Sequence, residues 1–523
     1  MPVARAFAVG LVGLAGTIIE VEAEISSNLP SFVLIGLPDA SLSEARDRVR
    51  AAAFNSGLSL PGRRVTVNLS PASVPKRGSI FDLAISIAIM AADGRIAGER
   101  AAGWVHLGEL GLNGSIRAVG GILPSVLAAK RAGWSKVIVP LGNLSEAALV
   151  EGVTVLGAQT LAQVAKFHGA KISADDLAAP MSGPGYEDQD ESSKDVLDLA
   201  DVVGQDEAVE ALTIAAVGGH HMLLVGPPGV GKTMLAERLP SILPTMNSDE
   251  SIETSALRSI AGLNNFDSIA ALSRQRPFEA PHHSATLVSL VGGGMTFPKP
   301  GLISLAHHGV LFLDEAPEFQ RGFLESLRQP LESGEVLINR SAGMARFPAR
   351  FQLILAANPC PCGNFAGRAR ACTCAPAIRQ AYIAKLSGPL LDRVDIRLRL
   401  QAVNPAQVAL ARLGATQIGR TSLEVRSRVA AARELTKERL VGTPWVTNSQ
   451  VPGSYLRKKL RLPTAITVPL DRAADKGALS MRGYDRCLRI AWSSADLAGR
   501  DTVSENDIAV AVMLRGGDGV SSW

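Results

Sequence analysis

Between the apolar run His221-Met-Leu-Leu-Val225 and a helical stretch beginning at Met234 stands the octapeptide Gly226-Pro-Pro-Gly-Val-Gly-Lys-Thr233. A strand that enters G-x-x-x-x-G-K-[ST] and leaves as a helix belongs to a parallel α/β unit. The glycines are needed where successive backbone N–H groups curl inward round phosphate oxygens. On this reading Gly226, Pro227, Pro228, Gly229, Val230 and Gly231 form the cradle, reinforced by the positive end of the following helix. Lys232 reaches the β- and γ-phosphates of ATP, and the Thr233 hydroxyl ligates Mg²⁺.

Two further apolar runs fit the same sheet. Gly309–Leu313 is apolar throughout, as a strand covered on both faces must be, and ends in Asp314-Glu315. Asp314 is placed to hold the magnesium, and Glu315 to orient and polarise an attacking water. Without a P-loop upstream, the same pair would read as an ordinary acidic turn. Phe351–Ala357 ends at Asn358, which is placed to touch the γ-phosphate or that water. Two arginines complete the candidate set: Arg393, in Leu390-Leu-Asp-Arg-Val-Asp395, and Arg482, at the start of a helical stretch that would cover the nucleotide as a lid. An isolated arginine is more often half of a surface ion pair, so these two carry less weight.

Four of the five cysteines are clustered as Cys360-Pro-Cys362 and Cys372-Thr-Cys374, with nine residues between the pairs. Four thiolates so close match a closed tetrahedral structural zinc site, although C-x-C is tighter than the usual C-x₂₋₄-C. The alternative is reduced thiols with a local packing role. The intervening segment would form a small basic knuckle exposing Arg368 and Arg370. Cys487, in a helical pattern, reads as core. The pairs His282-His283 and His307-His308, with His220 further off, read as structural histidines rather than ligands.

At 523 residues the chain exceeds one ordinary core, and 47% apolar with 20% charged residues is a globular composition. The polar, acidic run Met181-Ser-Gly-Pro-Gly-Tyr-Glu-Asp-Gln-Asp-Glu-Ser-Ser-Lys194 can bury little and reads as a linker. The expected division is 1–172, an α+β domain; 173–197, the linker; 198–400, the P-loop core carrying the cysteine insert; and 401–523, a helical lid. In the first domain Ser31–Ile35, Val65–Leu69 and Val137–Val139 read as strands, Glu44–Asn55 and Ser125–Ala132 as helices, and Gly103–Arg117 as a hairpin region turning at Asn113-Gly114. From Thr421 to Arg500 there are 15 Lys/Arg against 7 Asp/Glu. That local basicity fits a solvated helical surface and a nucleic-acid contact face equally well. Arg5 precedes an apolar stretch, but the alternation from Glu20 to Ile25 reads as a strand rather than the end of a signal peptide. The later apolar stretch Leu83–Ala92 is far short of the roughly 20 residues that span a bilayer, so the expectation is a cytoplasmic protein with no membrane partner.

The first domain resembles the Lon-protease-like domain of the ribosomal-S5 fold type. The residues that carry the likeness are Gly108-Glu-Leu110, Gly114-Ser-Ile-Arg-Ala-Val-Gly-Gly121 and Ala128-Ala-Lys-Arg-Ala-Gly133. Proteases of that type place a serine where this chain has Ile80 and a lysine where it has Leu123. Ser79 is one residue from the required place, and one residue along a chain re-aims a side chain. With both members of the dyad missing, the resemblance implies a non-proteolytic binding or assembly module.

The whole chain resembles the AAA+ ATPases, within them the branch of magnesium chelatase motor subunits, and more narrowly the YifB/ComM group of magnesium-chelatase-like proteins. The likeness rests on Arg276-Pro-Phe-Glu-Ala-Pro-His-His-Ser284, Leu290-Val-Gly-Gly-Gly294, Pro298–Gly309, Asn358-Pro-Cys-Pro-Cys-Gly363 and Leu479–Arg486. It implies a multidomain α/β protein: the Lon-like domain, a P-loop AAA+ core with a parallel sheet, and a helical lid. It further implies a homohexameric ring that moves along branched or single-stranded DNA. The associated work is branch migration in homologous recombination and natural transformation, with recombination proteins as partners. In such rings the arginine at position 393 would reach into the neighbour's site. Glu279 departs from the pattern, since a basic residue is expected there and a carboxylate would not help a DNA-facing loop. Glu335–Asn339 and Ala345–Phe351 are expected to form a hairpin carrying Arg340, Arg346 and Arg350, in the place where related rings point one into the pore. The competing reading is a chelatase-like motor subunit that remodels a protein partner instead of DNA.

Overall fold

The structure, a computed structural model, describes residues 3–36, 39–74, 76, 78–178, 197–263, 272–294, 298–340, 343–365, 372–401, 420–477 and 479–516. Most of the expected linker, together with Arg368 and Arg370, lies outside the described residues.

The first sheet has seven strands: β1 (Ala4–Val12), β2 (Ala15–Ser26), β3 (Ser31–Ile35), β4 (Arg64–Ser70), β5 (Val105–His106), β8 (Lys136–Pro140) and β9 (Thr154–Ala158), in the order β3-β4-β2-β1-β5-β8-β9. β1, β2 and β4 pair antiparallel, while β5, β8 and β9 extend the sheet in parallel. The alternation that argued against a signal peptide is the inward–outward period of β2, where Ile19, Val21, Ala23 and Ile25 are buried. The helix Asp82–Ala92 crosses beneath with residues Asp82 to Met90 all buried, so its apolarity reflects a core position. The hairpin region is shorter than expected. Only β6 (Glu109–Leu110) and β7 (Ile116–Arg117) pair across the turn, and Val105–His106 joins the main sheet instead. At the turn, Gly114 adopts φ 84° and Asn113 Oδ1 accepts the Ser115 amide. The helix expected from Glu44 starts at Asp39, and the one expected from Ser125 starts at Ile122.

The second sheet contains five parallel strands: β10 (Met222–Val225), β11 (Phe278–Glu279), β14 (Val310–Leu313), β17 (Gln352–Ala357) and β18 (Ile396–Arg399), ordered β11-β14-β17-β10-β18. Alternate residues feed two cores. Met222, Leu224, Val310, Phe312, Ile354 and Ala356 face one side, together with Val425, Val429, Leu488 and Ala491 from the C-terminal helices. Leu223, Val225, Leu311, Leu313, Leu353 and Leu355 face the other. Coverage on both faces is why β10, β14 and β17 read as unbroken apolar runs. Two small hairpins stand outside this sheet: β12 (Gly292–Gly293) with β13 (Lys299–Pro300), and β15 (Glu335–Arg340) with β16 (Gly343–Pro348).

The helix Ser248–Ala261 connects the two sheets' cores. Leu257 and Ile260 belong to the second, while Ala256 belongs to the first. The Gly121 amide donates to Ser259 Oγ at 3.0 Å, and Leu123, which stands where a Lon-type lysine is expected, gives its amide to buried Glu146 at 3.2 Å.

Candidate nucleotide site

β10 ends at Val225, and the chain curls through Gly226–Gly231 before the helix Lys232–Ile242 begins. Gly229 and Gly231 hold φ of 78° and 89°, which only glycine adopts without strain. A Cβ at Gly226 would come within 2.8 Å of the Leu400 carbonyl oxygen. The amides of Gly229, Val230 and Gly231 donate to no acceptor among the described residues, as a phosphate cradle requires. Lys232 Nζ donates to the carbonyls of Gly226 (2.7 Å) and Pro227 (2.9 Å) and to Asn358 Oδ1 (3.0 Å). Burial pulls its pKa down, and the nearby Asp314 and Glu315 partly oppose that.

Parallel strands carry the remaining groups to the same end of the sheet. Asp314 follows β14, and its Oδ2 accepts the Thr233 hydroxyl at 2.7 Å. A hydroxyl and a carboxylate in contact, beside a phosphate cradle, are the hard oxygen donors Mg²⁺ prefers. Glu315 sits in the left-handed region at φ 50°, a conformation that costs about 1–2 kcal/mol in a non-glycine residue. Its amide is tied to Asp314 Oδ1 at 2.8 Å, and its half-exposed carboxylate lies 3.6 Å from His283 Nδ1. Asn358 follows β17. The sheet thus brings Lys232, Thr233, Asp314, Glu315 and Asn358 together from three separated stretches of chain.

Two neighbours of the loop escaped the sequence reading. Gln205 Nε2 donates to Val230 O (3.3 Å) and Gln401 O (3.0 Å), bracing the loop from outside. Gly363, at φ 75°, packs so close that an added Cβ would lie 2.7 Å from Pro228. Gln205 belongs to no motif with fixed spacing, so no local signal could have found it. Although Gly363 ends the run Asn358-Pro-Cys-Pro-Cys-Gly363, nothing in that run says that it packs on Pro228.

Gly363 also belongs to the cysteine cluster. Cys360 Sγ lies 3.3 Å from Cys362 Sγ and 3.6 Å from Cys372 Sγ, and Cys362 Sγ lies 3.6 Å from Cys372 Sγ. All four sulfurs, Cys374 included, fall within 4.8 Å of one another. A tetrahedron with Zn–S bonds of about 2.3 Å has edges of about 3.8 Å, so the set is compatible with zinc after small side-chain shifts. The Asn364 amide pulls the Cys362 thiol down to about 6, whereas burial pushes Cys360 up to about 12. A second candidate cluster, Glu253 with His307 and His308, is organised differently. His307 Nδ1 accepts the Arg350 amide at 2.9 Å, so the proton sits on Nε2, which faces Glu253 at 3.1 Å. That neutral tautomer hydrogen-bonds Glu253 and leaves His307 no free lone pair for a metal.

The two arginines lie elsewhere. His221, Gly309, Phe351 and Asp395, which immediately precede β10, β14, β17 and β18, line a groove of about 660 Å³ that also takes in Arg393 and Arg482. This is the amino end of the sheet, and the P-loop is at the carboxyl end. Even four-residue β10 separates the two by about 13 Å, too far for Arg393 to reach its own chain's nucleotide loop. Arg482 was expected to cover that loop as part of a lid. Instead it is exposed in the groove, 4.0 Å from Asp392. The helix Met481–Leu497 that carries it packs behind the sheet against Asp206–Gly218, which keeps its first turn at the amino end.

Arg350 was placed with the hairpin arginines, but it lies past β16 and its side chain lines the same groove. Arg346 pairs with Glu335 at 3.2 Å on the hairpin's outer surface. The odd carboxylate Glu279 ends β11 half-buried, where burial raises its pKa and Arg258 opposes the rise. It is turned into the structure and does not occupy a loop surface.

Comparison with protein families matches residues 198–408 to magnesium chelatase, subunit ChlI, residues 21–143 to subunit ChlI of Mg-chelatase, and residues 419–515 to the ChlI C-terminal region. The chain is 47% identical over 515 residues to an uncharacterized protein of Mycobacterium tuberculosis, covering 98% of this chain and 99% of that one. It is 39% identical to the competence protein ComM of Haemophilus influenzae, covering 98% of each chain. It is also 39% identical to the uncharacterized protein YifB of Escherichia coli, covering 95% of this chain and 94% of that one. None of the helices among the described residues is long and apolar enough to cross a membrane.

Proposed function

This chain belongs to the magnesium-chelatase-like family that includes ComM and YifB, and from that premise we propose that it is a ring-forming ATPase that drives branch migration of DNA. The observation that carries the ATPase is the convergence of Lys232, Thr233, Asp314, Glu315 and Asn358 at one end of a parallel sheet. Free loop amides and Lys232 bind the polyphosphate. Thr233 and Asp314 hold Mg²⁺, which when bound neutralises charge on the β- and γ-phosphate oxygens. Glu315 accepts the proton of the attacking water, and Asn358, already bonded to Lys232, keeps that amine aimed at the phosphates.

A ring, read as a homohexamer, is supported by the position of Arg393 and Arg482. Both lie too far from their own P-loop to serve it, and both are in a groove open to a neighbour. A second copy docked there would bring its polyphosphate to them, as arginine fingers require. The clustered cysteines hold a structural zinc beside the P-loop, and the first domain is a Lon-like module without protease activity.

The DNA reading is supported by the β15–β16 hairpin, the basic C-terminal segment, and a full-length relative named a competence protein. The other reading, a motor that remodels a protein, shares the ATPase site and differs in what stimulates it. A branch-migration assay on a four-way junction separates them. Wild type should move the junction with ATP. Lys232→Ala should lose nucleotide binding and activity, while Glu315→Gln should bind ATP and hold it unhydrolysed. Absence of both junction movement and DNA-stimulated hydrolysis would remove the DNA reading and leave the ATPase.

A further inference from the structure

Arg393 is held in its own groove by an acidic residue at the root of the hairpin. Its Nη2 pairs with Glu332 Oε1 and its Nη1 donates to Pro389 O at 2.5 Å, while its buried Nε has no partner among the described residues. The backbone is fixed independently, because Arg486 Nη1 donates to the Arg393 carbonyl at 3.1 Å. Only the side chain has to swing for the guanidinium to leave the groove.

Glu332 is the penultimate residue of the short helix Arg328–Ser333, three residues before β15 begins at Glu335. That junction is tightly bonded. The Gly334 amide donates to Pro330 O at 2.8 Å, the Ala349 amide donates to Gly334 O at 2.7 Å, and Ser333 Oγ donates to Glu335 O at 3.1 Å. A tilt of the hairpin therefore moves the Glu332 backbone with it. The Glu332 carboxylate is 66% exposed, so it leaves the pair for water at little desolvation cost.

We propose that Glu332 is a positioning residue: its carboxylate stands in for the neighbour's γ-phosphate and latches Arg393 until the hairpin engages its ligand. A carboxylate and a phosphoryl group offer a guanidinium the same pair of anionic oxygens, so one can replace the other without reshaping the arginine's surroundings. In the latched equilibrium only the fraction of chains with Arg393 free can complete a neighbouring site, and the hydrolysis rate falls to that fraction of its full value. Hairpin movement opens the latch and couples the hairpin's ligand to hydrolysis. This rests on the reading that Arg393 serves the adjacent copy.

The test is steady-state ATP hydrolysis by the full-length protein, with and without saturating four-way-junction DNA, for wild type, Glu332→Gln, Glu332→Asp, Arg393→Ala and the Glu332→Gln/Arg393→Ala double variant. Glu332→Gln should raise the DNA-free kcat by up to about fivefold, the worth of one exposed ion pair, with a smaller change in KM. Its DNA-saturated rate should stay at the wild-type level, so that the stimulation ratio falls. Glu332→Asp, which keeps the charge, should return towards wild type, and the double variant should be as inactive as Arg393→Ala. If Arg393→Ala is inactive but Glu332→Gln leaves the DNA-free rate unchanged or lowers it, the latch is wrong and the role of Arg393 stands. If Arg393→Ala keeps full activity, the reading of Arg393 itself has failed, whatever Glu332 does.

Discussion

The amine of Lys232 rests on two loop carbonyls and on Asn358, contacts that a polyphosphate would replace or share. The residues of this cradle were legible because phosphate chemistry demands particular side chains at fixed spacing, directly after a strand. The sulfur cluster was legible for a similar reason, since four cysteines within the fifteen residues 360–374 match the ligand set of a structural zinc site. Purified protein is expected to contain one zinc per chain, and Cys372→Ser to lose it. Because Gly363 abuts Pro228, the same variant should also weaken ATP binding a few-fold. Metal analysis beside a nucleotide-binding titration checks both halves. Zinc retained at one per chain in the variant, or zinc lost with unaltered ATP affinity, would each remove one of them. What the sequence hid at this scale were contacts between loops distant in the chain, such as Gln205 on Val230. It also hid the protonation state of His307, which is fixed by an amide forty-three positions away.

Among the elements, β10, β14 and β17 announced themselves because burial on both faces leaves an apolar run with a polar end. Two-residue β11 and the alternating Ile396-Arg-Leu-Arg399 of β18 carry no such run and were not read from the sequence. The ends were readable, but their relation was not. Nothing in Ser480-Met-Arg482 says that its helix packs so as to present Arg482 at the amino end of the sheet; that follows from the buried face the helix shares with Asp206–Gly218. The β15–β16 hairpin illustrates the same limit. Its register, with Arg340 opposite Gly343 and Arg346 opposite Leu337, puts Arg340 next to the tip. Arg350 was counted with it from sequence, yet it lies past the hairpin's second strand and lines the groove. Of the three arginines, Arg340 is therefore the one whose backbone stands beside the tip, where the proposed DNA contact would fall. Arg340→Ala is expected to lower DNA-stimulated hydrolysis several-fold while leaving the DNA-free rate within twofold. It should also reduce the slope of log affinity against log salt by about 1, the signature of one lost phosphate contact. Hydrolysis rates and a salt titration of DNA binding measure these, and equal loss of both rates would mean that the hairpin serves the fold instead.

For the molecule as a whole, the sheet's polarity separates the P-loop groups from the two arginines proposed to serve a neighbouring site. The P-loop, Asp314 and Glu315 lie at one end, and Arg393 and Arg482 at the other, at least a strand's length away. On the proposed reading of Arg393 and Arg482 a single chain would not close its own site, whereas a head-to-tail arrangement would bring one chain's arginine end against the next chain's P-loop end. Interfaces of that kind close into rings when the rotation permits. The helix Ser248–Ala261, buried in the cores of both sheets, would make the first domain turn with the ATPase core within each copy. Shared sites make a specific demand on mixtures. Lys232→Ala and Arg393→Ala should each be nearly inactive alone, the first for want of nucleotide and the second for want of the neighbour's arginine. Mixed in equal amounts and allowed to exchange subunits, they create some interfaces that pair an intact P-loop from one variant with an intact Arg393 from the other. Random assembly places such a pair at roughly one interface in four, so the mixture should recover up to about a quarter of the wild-type rate if sites fire independently, and less if they must fire in sequence. An ATPase titration of one variant into the other reads this directly. A mixture no more active than the mean of its two components would show that each chain works alone, and the separation across the sheet would then need another explanation.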